Sequence, residues 1–281
     1  MVLIFPGFED IKKTRNRGMK TKQANLLKLS VTTFVFMAAL WVSKPAPTFA
    51  ARYGESLCAN PEYHCITMQP KVMEVEVKTR RGVRKVNKKA TDTWETLWPD
   101  PRELEIVKKV NRMNITLRPG MTIAVPNNMA GKTYMDYCPY PKKIDPPGEK
   151  LFIWDATLLA WAAYNPDGTL VRWGPAVGGR GYCGDVGRGC RTRMGTFKIL
   201  SKHGYNCRSG KYPVRKSGNN GGAHMPWFMM FDSRGYGYHG SKNVPGYNAS
   251  HGCVRLFVED AEWLNKNFIE IGTKAINRPY E

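Results

Sequence analysis

From residue 151 onward, short apolar runs alternate with turns rich in glycine, proline and aspartate, and this alternation constrains the fold most strongly. Each run has four to seven residues, a length typical of strands and too short for most helices. The runs are Leu151–Trp154, Leu158–Tyr164, Leu170–Trp173, Thr196–Leu200 and Trp227–Phe231. A turn, Asn165-Pro166-Asp167-Gly168, separates the second run from the third. The sequence therefore predicts a C-terminal domain that is mainly β.

One segment of this domain combines the residue types that an activated thiol needs. It reads Ser250-His251-Gly252-Cys253-Val254-Arg255-Leu256, and His239-Gly240 precedes it. A thiol attacks as its thiolate, so either His239 or His251 could take the proton, and the Arg255 cation favours the thiolate. We therefore expect a lowered pKa for Cys253. A glycine before the nucleophile permits a tight turn and lets a substrate carbonyl approach backbone N–H groups.

The segment after this motif has helical spacing. Apolar residues recur at 258, 261, 264 and 268, and Glu259 and Asp260 fall in the first turn. This pattern predicts one helix directly after the motif. Its positive N-terminal end would lower the pKa of Cys253 further if it faced the thiol.

Two other interpretations of Cys253 have to be weighed. A lone cysteine is often a small buried apolar residue, and a cysteine with two histidines could bind zinc. The spacing lacks a Cys-x-x-Cys or His-x-x-x-His pair, so we expect no metal. The chain has 7 cysteines, and if the other six form disulfides, Cys253 is the thiol left free to react.

The motif resembles the signature of the L,D-transpeptidase catalytic domain, a family of bacterial enzymes that crosslink peptidoglycan through a cysteine acyl-enzyme. The likeness extends to Met194–Ile199, Ala223–Phe231 and Gly235–Gly240, and it covers roughly the C-terminal half of the chain. Arg193 stands where the family usually has proline, which changes a turn and leaves the chemistry unaffected. The resemblance implies a mixed β-sandwich or partly closed barrel with one helix after the motif.

The resemblance also implies roles for the residues of the motif. Cys253 would be the nucleophile, His239 its base, and the Gly240 carbonyl the group that orients the imidazole. The residues expected to shape the nucleophile turn, the oxyanion site and a substrate carboxylate contact are Ser250, His251, Gly252 and Arg255. The expected substrates are peptidoglycan stem peptides, without a cofactor. Hydrolysis of the thioester would make the protein an L,D-carboxypeptidase instead, and a catalytically silent wall-binding protein is a further alternative.

Residues 1–50 have the layout of a secretory signal peptide. Basic residues 20–28 precede an apolar run at 29–42, and small residues lead to Ala50, after which we expect cleavage. Translation could start at Met19, and an uncleaved anchor is the alternative. The apolar run is short for a membrane span. We therefore expect an exported protein of the periplasm or cell wall, with no stable membrane span after cleavage.

Charge and cysteine content agree with export. The 43 Lys and Arg residues outnumber 23 Asp and Glu, which gives a formal net charge of +20. Such a charge suits an anionic polymer or surface, and a signal peptide argues against nucleic acid as the partner. In an oxidising compartment the cysteines are expected to pair. Their closeness in sequence favours Cys58–Cys65 and Cys183–Cys190, which leaves Cys138 with Cys207 as one of 15 connectivities that six cysteines allow.

Residues 51–126 predict a small α+β module. Val72–Val77 alternates apolar and acidic residues and predicts a strand, whereas the basic run at 78–93 predicts a solvated loop. Asp100-Pro101 begins a helix that ends by Asn111, and Leu117–Pro126 predicts a turn and a short strand.

This strand–helix–strand unit resembles a lysin motif, a small peptidoglycan-binding module, on the strength of Asp92-Thr93, Leu97, Asn111 and Leu117–Pro126. Glycan strands are therefore an expected further partner, and a cap without a ligand is the alternative. Residues 127–149 are rich in proline and predict a linker. The catalytic domain is expected at 150–281.

Overall fold

The computed structural model describes residues 51–215, 217–218 and 220–280, with the backbone alone at 88–90. The predicted signal peptide, residues 1–50, lies outside this part of the chain. Across the described residues, no helix combines the length and the apolar character that crossing a bilayer would require.

The N-terminal module is built on a two-stranded antiparallel sheet with helices between its strands. Its strands are β1 (Tyr63–Thr67), β2 (Lys71–Thr79), β3 (Gly82–Ala90) and β4 (Thr122–Pro126), and its α-helices are α1 (Tyr53–Ser56), α2 (Trp94–Leu97) and α3 (Pro101–Val110). Strand β1 pairs with β4, and Cys65 stands opposite Ala124. Trp94, Val107 and Ile123 belong to one buried apolar cluster, so the helices cover one face of this small sheet.

The strand predicted at Val72–Val77 is present, but it does not belong to the central sheet of the module. As β2 it pairs with β3 in a separate antiparallel hairpin, where Val75 stands opposite Val86 and Lys78 opposite Val83. The prediction of a solvated loop is therefore wrong for Gly82–Ala90. The backbone N–H and C=O groups of this charged segment form hydrogen bonds with β2, so the segment is a strand although its side chains are those of a solvated surface.

Helix α3 begins as predicted. The Asp100 carboxylate accepts a hydrogen bond from the Arg102 N–H at 2.8 Å, and Pro101 occupies the first helical position, where its missing N–H costs nothing. At the other end, the Asn111 amide donates to the Val107 carbonyl at 2.8 Å and to the Ala124 carbonyl at 2.7 Å. The helix end is thereby fixed to β4.

Nine strands of the C-terminal domain form one mixed sheet. The strands that follow β4 are β5 (Leu151–Asp155), β6 (Ala160–Tyr164), β7 (Leu170–Val177), β8 (Tyr182–Cys183), β9 (Arg188–Gly189), β10 (Gly195–Lys198), β11 (Ser201–Lys202), β12 (Met229–Asp232), β13 (Tyr236–Gly240), β14 (Val254–Leu256) and β15 (Lys274–Arg278). The sheet order is β10-β15-β5-β6-β7-β14-β13-β12-β11, and β8 and β9 pair separately. The pairs β5–β15 and β13–β14 are parallel.

The sheet curls, so that strands from its two ends approach each other. The rings of Phe197 on β10 and Phe231 on β12 have centroids 5.0 Å apart. Trp154, Trp161 and Tyr238 are fully buried in the main core of this domain, and burying a large side chain contributes roughly 1.5–3 kcal/mol. The predicted fold class, mainly β with few helices, is confirmed.

A single α-helix, α4 (Val258–Trp263), follows the motif as predicted and continues into one π-helical turn, Leu264–Phe268. Its residues Ala261, Leu264 and Phe268 are buried in the main core, so the helix packs beneath the strands that carry the motif.

The proline-rich segment 127–149 packs against the C-terminal domain along its length. The Tyr140 hydroxyl donates to the Ala160 carbonyl at 2.7 Å, and the Trp173 indole N–H donates to the Tyr134 carbonyl at 3.1 Å. A 3₁₀ turn, Tyr134–Tyr137, lies within this segment. The connection between the two parts of the chain is therefore an ordered piece of structure.

Two of the three expected disulfides are confirmed. Cys58 bonds to Cys65 and Cys183 bonds to Cys190, with Cα atoms 5.6 and 5.9 Å apart. The expected Cys138–Cys207 bond is wrong, because both residues are free thiols. Cys138 packs in the cluster between segment 127–149 and the sheet, whereas Cys207 bonds through its backbone to Gly204 and Met225. Elimination by pairing therefore does not single out Cys253.

Candidate active site

The adjacent parallel strands β13 and β14 bring the predicted nucleophile and base to one face of the sheet. His239 on β13 stands opposite Arg255 on β14, and Cys253 comes directly before Val254, the first residue of β14. Side chains alternate along strands, so residues 253 and 255 share a face with 239. All three side chains line one cleft with a volume of about 730 Å³.

The imidazole of His239 is buried and oriented by its own strand. Its Nδ1 lies 2.8 Å from the Gly240 carbonyl oxygen, and a carbonyl can only accept, so Nδ1 carries a proton. In the neutral ring, Nε2 then has a free lone pair. Burial lowers the pKa of His239 to about 4, and the Arg255 cation lowers it as well, although the Gly240 hydrogen bond opposes this. The ring is therefore a neutral base at pH 7.

The Cys253 thiol lies over the turn that leads into β13. Its Sγ is 3.7 Å from the Gly235 carbonyl oxygen. Burial raises the pKa of Cys253, and the Gly237 N–H and the Arg255 cation only partly offset this. The expected lowering of this pKa is therefore wrong, because desolvation of the thiolate outweighs the nearby positive charge. At neutral pH the site holds a thiol and a neutral imidazole.

The turn before Cys253 is held by Ser250. Its hydroxyl accepts from the Gly252 N–H at 3.0 Å and donates to the Cys253 carbonyl oxygen. Gly252 has a φ of +131°, and a Cβ there would lie 2.3 Å from the ring of Tyr236. Only glycine fits this position. Because the Gly252 N–H already bonds to Ser250, it does not stand free to receive an oxyanion.

His251 is bound to an acidic residue that the sequence did not single out. Its Nε2 lies 2.7 Å from Asp185, and its ring centroid is 4.7 Å from that of Tyr212. Asp185 belongs to the loop closed by Cys183–Cys190. The only signal for this contact was the short glycine-rich loop between two cysteines, which gives no partner by itself.

Cys183, Asp185 and His251 place their ligand atoms within 4.8 Å of one another. Cys183 is bonded to Cys190, so it has no thiolate to offer a metal. The remaining carboxylate and imidazole are fewer than the three protein ligands of a typical zinc site.

The cleft is cationic. Its charged lining residues are Arg188, Lys211, Arg234 and Arg255, and none of the described residues that line it is Asp or Glu. The Arg255 guanidinium donates to the Asn243 carbonyl at 3.4 Å, and no carboxylate pairs with it among the residues that the structure describes. Such a surface suits a ligand that carries carboxylates.

The fold is similar to solved L,D-transpeptidases. One from Xylanimonas cellulosilytica is 24% identical, with a TM-score of 0.45, and covers 63% of this chain and 79% of its own. One from Mycobacterium smegmatis is 22% identical, with a TM-score of 0.39, and covers 47% and 59%. L,D-transpeptidase 1 from Mycobacterium tuberculosis is 13% identical, with a TM-score of 0.36, and covers 77% and 93%. A comparison with curated proteins gave no match.

A family match covers the strands that build this site. Residues 155–276 match the YkuD family, whose description is L,D-transpeptidase catalytic domain. The matched range begins at the end of β5 and reaches β15, so it contains the cleft, His239 and Cys253. The sequence resemblance rested on the motif around Cys253, and the family match extends it over the sheet. Residues 155–276 of this chain are an L,D-transpeptidase catalytic domain of the YkuD family.

Proposed function

We propose that this protein crosslinks peptidoglycan stem peptides through a thioester formed on Cys253. One observation carries the proposal: the Cys253 thiol, the neutral His239 imidazole and the Arg255 cation share one face of two adjacent strands in a cationic cleft. The family of the domain supports an acyl-transfer reaction. A thiol beside an oriented base is the arrangement that nucleophilic acyl transfer needs.

In the first step, His239 Nε2 takes the thiol proton as Cys253 Sγ attacks the carbonyl carbon of the diamino acid in a tetrapeptide stem. The Gly240 carbonyl keeps the imidazole in the tautomer that can accept this proton. The tetrahedral intermediate collapses when the bond to D-alanine breaks, and His239 gives the proton to the departing amine. A thioester then links the stem to Cys253.

In the second step, an amine of another stem attacks the thioester. His239 removes a proton from that amine and returns it to sulfur as the carbon–sulfur bond breaks, which restores the thiol. If water takes the place of the amine, the product is a shortened stem and the enzyme acts as an L,D-carboxypeptidase. The two activities share every residue of the site and differ only in the acceptor.

The other motif residues support these steps. Ser250 holds the nucleophile turn, and Gly252 leaves room for Tyr236 beside it. Because the Gly252 N–H is already bonded, we assign the oxyanion contact to the N–H of Cys253 itself. Arg255 and the other cations of the cleft bind the carboxylates of the stem. His251 lines the cleft, but its Nε2 is bonded to Asp185 outside the lining, which disfavours His251 as the base.

The proposed location is outside the cytoplasm, in the periplasm or the cell wall. The N-terminal module is proposed to bind glycan strands, because its helices α2 and α3 lie between the paired strands β1 and β4 in a unit that resembles a lysin motif. Two disulfides in the described residues agree with an oxidising compartment, since such bonds are rare in the cytosol.

The decisive experiment is incubation of residues 51–281 with purified disaccharide tetrapeptides, followed by separation and mass spectrometry of the products. Crosslinked dimers with release of D-alanine are expected from the wild type and from Cys207→Ala, which removes another free thiol. Cys253→Ala should give no dimer and no covalent adduct while unfolding normally. Tripeptides without dimers would identify the carboxypeptidase, and an active Cys253→Ala would refute the thioester.

A further inference from the structure

The loop that joins the base to the nucleophile is hydrogen-bonded to the N-terminal module. This loop, residues 241–249, runs from the end of β13 to Ser250. The side chain of Asn114, which follows α3 in the module, donates from Nδ2 to the Ser241 carbonyl at 2.8 Å and accepts from the Val244 N–H at 2.9 Å. Its backbone N–H also donates to the Val244 carbonyl at 3.0 Å. Three hydrogen bonds thus fix Ser241–Val244 to one residue.

The same loop makes two neighbouring contacts with the module. Met113 forms a bridge with Pro245, and the Tyr53 N–H donates to the Gly246 carbonyl at 2.8 Å. The Val244 side chain is fully buried in a small apolar cluster that Tyr53 covers. The contacts between the module and the loop therefore extend from residue 241 to residue 246.

Two residues of the part of the loop that contacts the module also belong to the active-site cleft. Ser241 and Asn243 line the cleft, and the Asn243 carbonyl is the acceptor for Arg255 Nη1. From this chain of contacts we propose that Asn114 is a positioning residue for the transpeptidase site, although it lies outside the catalytic domain. This inference rests on the proposed function of Cys253. It assigns to the N-terminal module an indirect part in catalysis, through the position of this loop, beyond any binding of glycan.

The test compares Asn114→Ala with Asn127→Ala. Asn127 directly follows the last strand of the module, and its side chain also bridges two groups of the module, His64 at 2.8 Å and the Pro61 carbonyl at 2.8 Å, but neither belongs to the loop. Small displacements of reacting groups can cost up to about 100-fold in rate. We expect Asn114→Ala to lower kcat about 10- to 100-fold with KM within about twofold, and Asn127→Ala to keep the wild-type kcat.

A second readout does not require transpeptidation. Alkylation of Cys253 by iodoacetamide, followed over pH by peptide mass spectrometry, should shift to higher pH in Asn114→Ala, because Arg255 loses its fixed place near the thiol. Asn114→Asp keeps the shape of the side chain and the acceptor for the Val244 N–H. Its alkylation profile should shift to higher pH as well, and it replaces Asn114→Ala in the test if that variant folds poorly. Wild-type kcat and an unchanged alkylation profile in both Asn114 variants would overturn the proposal. An inactive wild type with shifted alkylation would refute only the proposed function.

A second, independent feature is the hairpin formed by β2 and β3. Four of its apolar side chains are exposed: Val72 by 67%, Met73 by 54%, Val77 by 43% and Val83 by 59%. Its register places Met73, Val75, Val77 and Val86 on one face together with Arg84, and Arg80 and Arg81 form the tip. The opposite face carries Glu74 and Glu76, and Lys85 bonds to Glu74 at 2.8 Å.

The face with Met73 and Val77 therefore carries apolar side chains bordered by arginines, and its one carboxylate contact is that of Lys71 with Asp92, outside the hairpin, among the described residues. A hydrophilic polymer would leave these apolar side chains in water, whereas a bilayer surface buries them while anionic headgroups meet the arginines. We infer that this face of the hairpin docks on a membrane surface that carries anionic lipid.

Vesicles of phosphatidylglycerol and phosphatidylcholine test this inference by co-sedimentation of residues 51–281. Binding should need phosphatidylglycerol and should fall about fivefold for each arginine removed in Arg80→Gln and Arg81→Gln. Met73→Ser/Val77→Ser should weaken it, whereas Val72→Ser/Val83→Ser, matched on the opposite face, should not. Equal effects of both serine pairs, or binding to peptidoglycan sacculi but not to vesicles, would overturn it.

Discussion

The Lys109 ammonium lies 3.2 Å from the Asp260 carboxylate, across the boundary between the N-terminal module and the catalytic domain. Lys109 is 1% exposed and Asp260 is fully buried. Arg172 donates to the same carboxylate oxygen at 2.9 Å, and the Lys109 ammonium also lies 3.8 Å from the centre of the Tyr134 ring. A carboxylate this deep depends on its cations, because an unpaired buried charge costs several kcal/mol.

Removal of Lys109 should therefore destabilise the whole described unit. Lys109→Met is expected to lower the free energy of unfolding by about 2–4 kcal/mol, somewhat below the usual range for a broken buried pair because Arg172 remains. Lys108→Met is the matched control: Lys108 pairs with the exposed Glu95, and such a pair contributes at most about 1 kcal/mol. Urea unfolding of both variants decides the point, and equal losses would contradict it.

The two disulfides offer a matched pair of cross-links. Both join cysteines seven residues apart, so loss of either should cost a similar amount, about 2–3 kcal/mol by loop-closure entropy. Only Cys183–Cys190 closes the loop that carries Asp185 to His251 at the cleft. Cys183→Ser/Cys190→Ser should therefore also raise KM, whereas Cys58→Ser/Cys65→Ser should not. Unfolding and steady-state kinetics of both pairs test this, and equal KM values would refute a role for the loop in the cleft.

The sequence predicted the strands of the catalytic domain because local information determines them. The run Leu151–Trp154 is apolar enough to demand burial and lies within β5. The run Trp227–Phe231 was predicted less well, because β12 begins only at Met229 and Trp227 lies in a turn with a positive φ. The pairing order could not be predicted, because it depends on contacts between distant residues such as Phe197 and Phe231. For the β2–β3 hairpin, the first strand was predicted but the second was not, because the charged residues of β3 resemble those of a loop.

The sequence singled out Cys253 and His239, and the structure brings both to one cleft; their catalytic roles stay a prediction. The electrostatics of these two residues could not be predicted from the motif. The pKa values depend on burial, which a sequence does not report, and burial reversed the expected direction for Cys253. Asp185 and Asn114 reach the site from segments 60 or more residues away, so no local pattern could assign them.

The low pKa of His239 predicts a dependence of stability on pH. The ring has a pKa of about 4 in the folded protein and about 6.5 when unfolded. Between these values the unfolded state binds the proton first, so stability falls as pH drops from about 6.5 towards 4, by up to about 3 kcal/mol. His239→Gln removes this contribution. The difference in unfolding free energy between wild type and His239→Gln should therefore shrink or reverse as pH falls, and a constant difference would contradict a buried neutral ring.

The resting state of the nucleophile gives the last prediction. Burial raises the pKa of Cys253, so alkylation by iodoacetamide should have its midpoint above about 8.5, the ordinary value of a free thiol. Because His239 is neutral at pH 7, no imidazolium holds a thiolate in place, and His239→Gln should leave this midpoint nearly unchanged.

Turnover should respond quite differently, since the base acts only during attack on the substrate. His239→Gln is expected to lower kcat by about 100- to 10,000-fold. Peptide mass spectrometry of Cys253 between pH 6 and 10, with product assays on the same samples, separates the two effects. A wild-type midpoint below about 8.5 that rises in His239→Gln would instead establish a preformed thiolate–imidazolium pair. In that case proton transfer would precede substrate binding, and the neutral pair deduced from burial would be the wrong resting state.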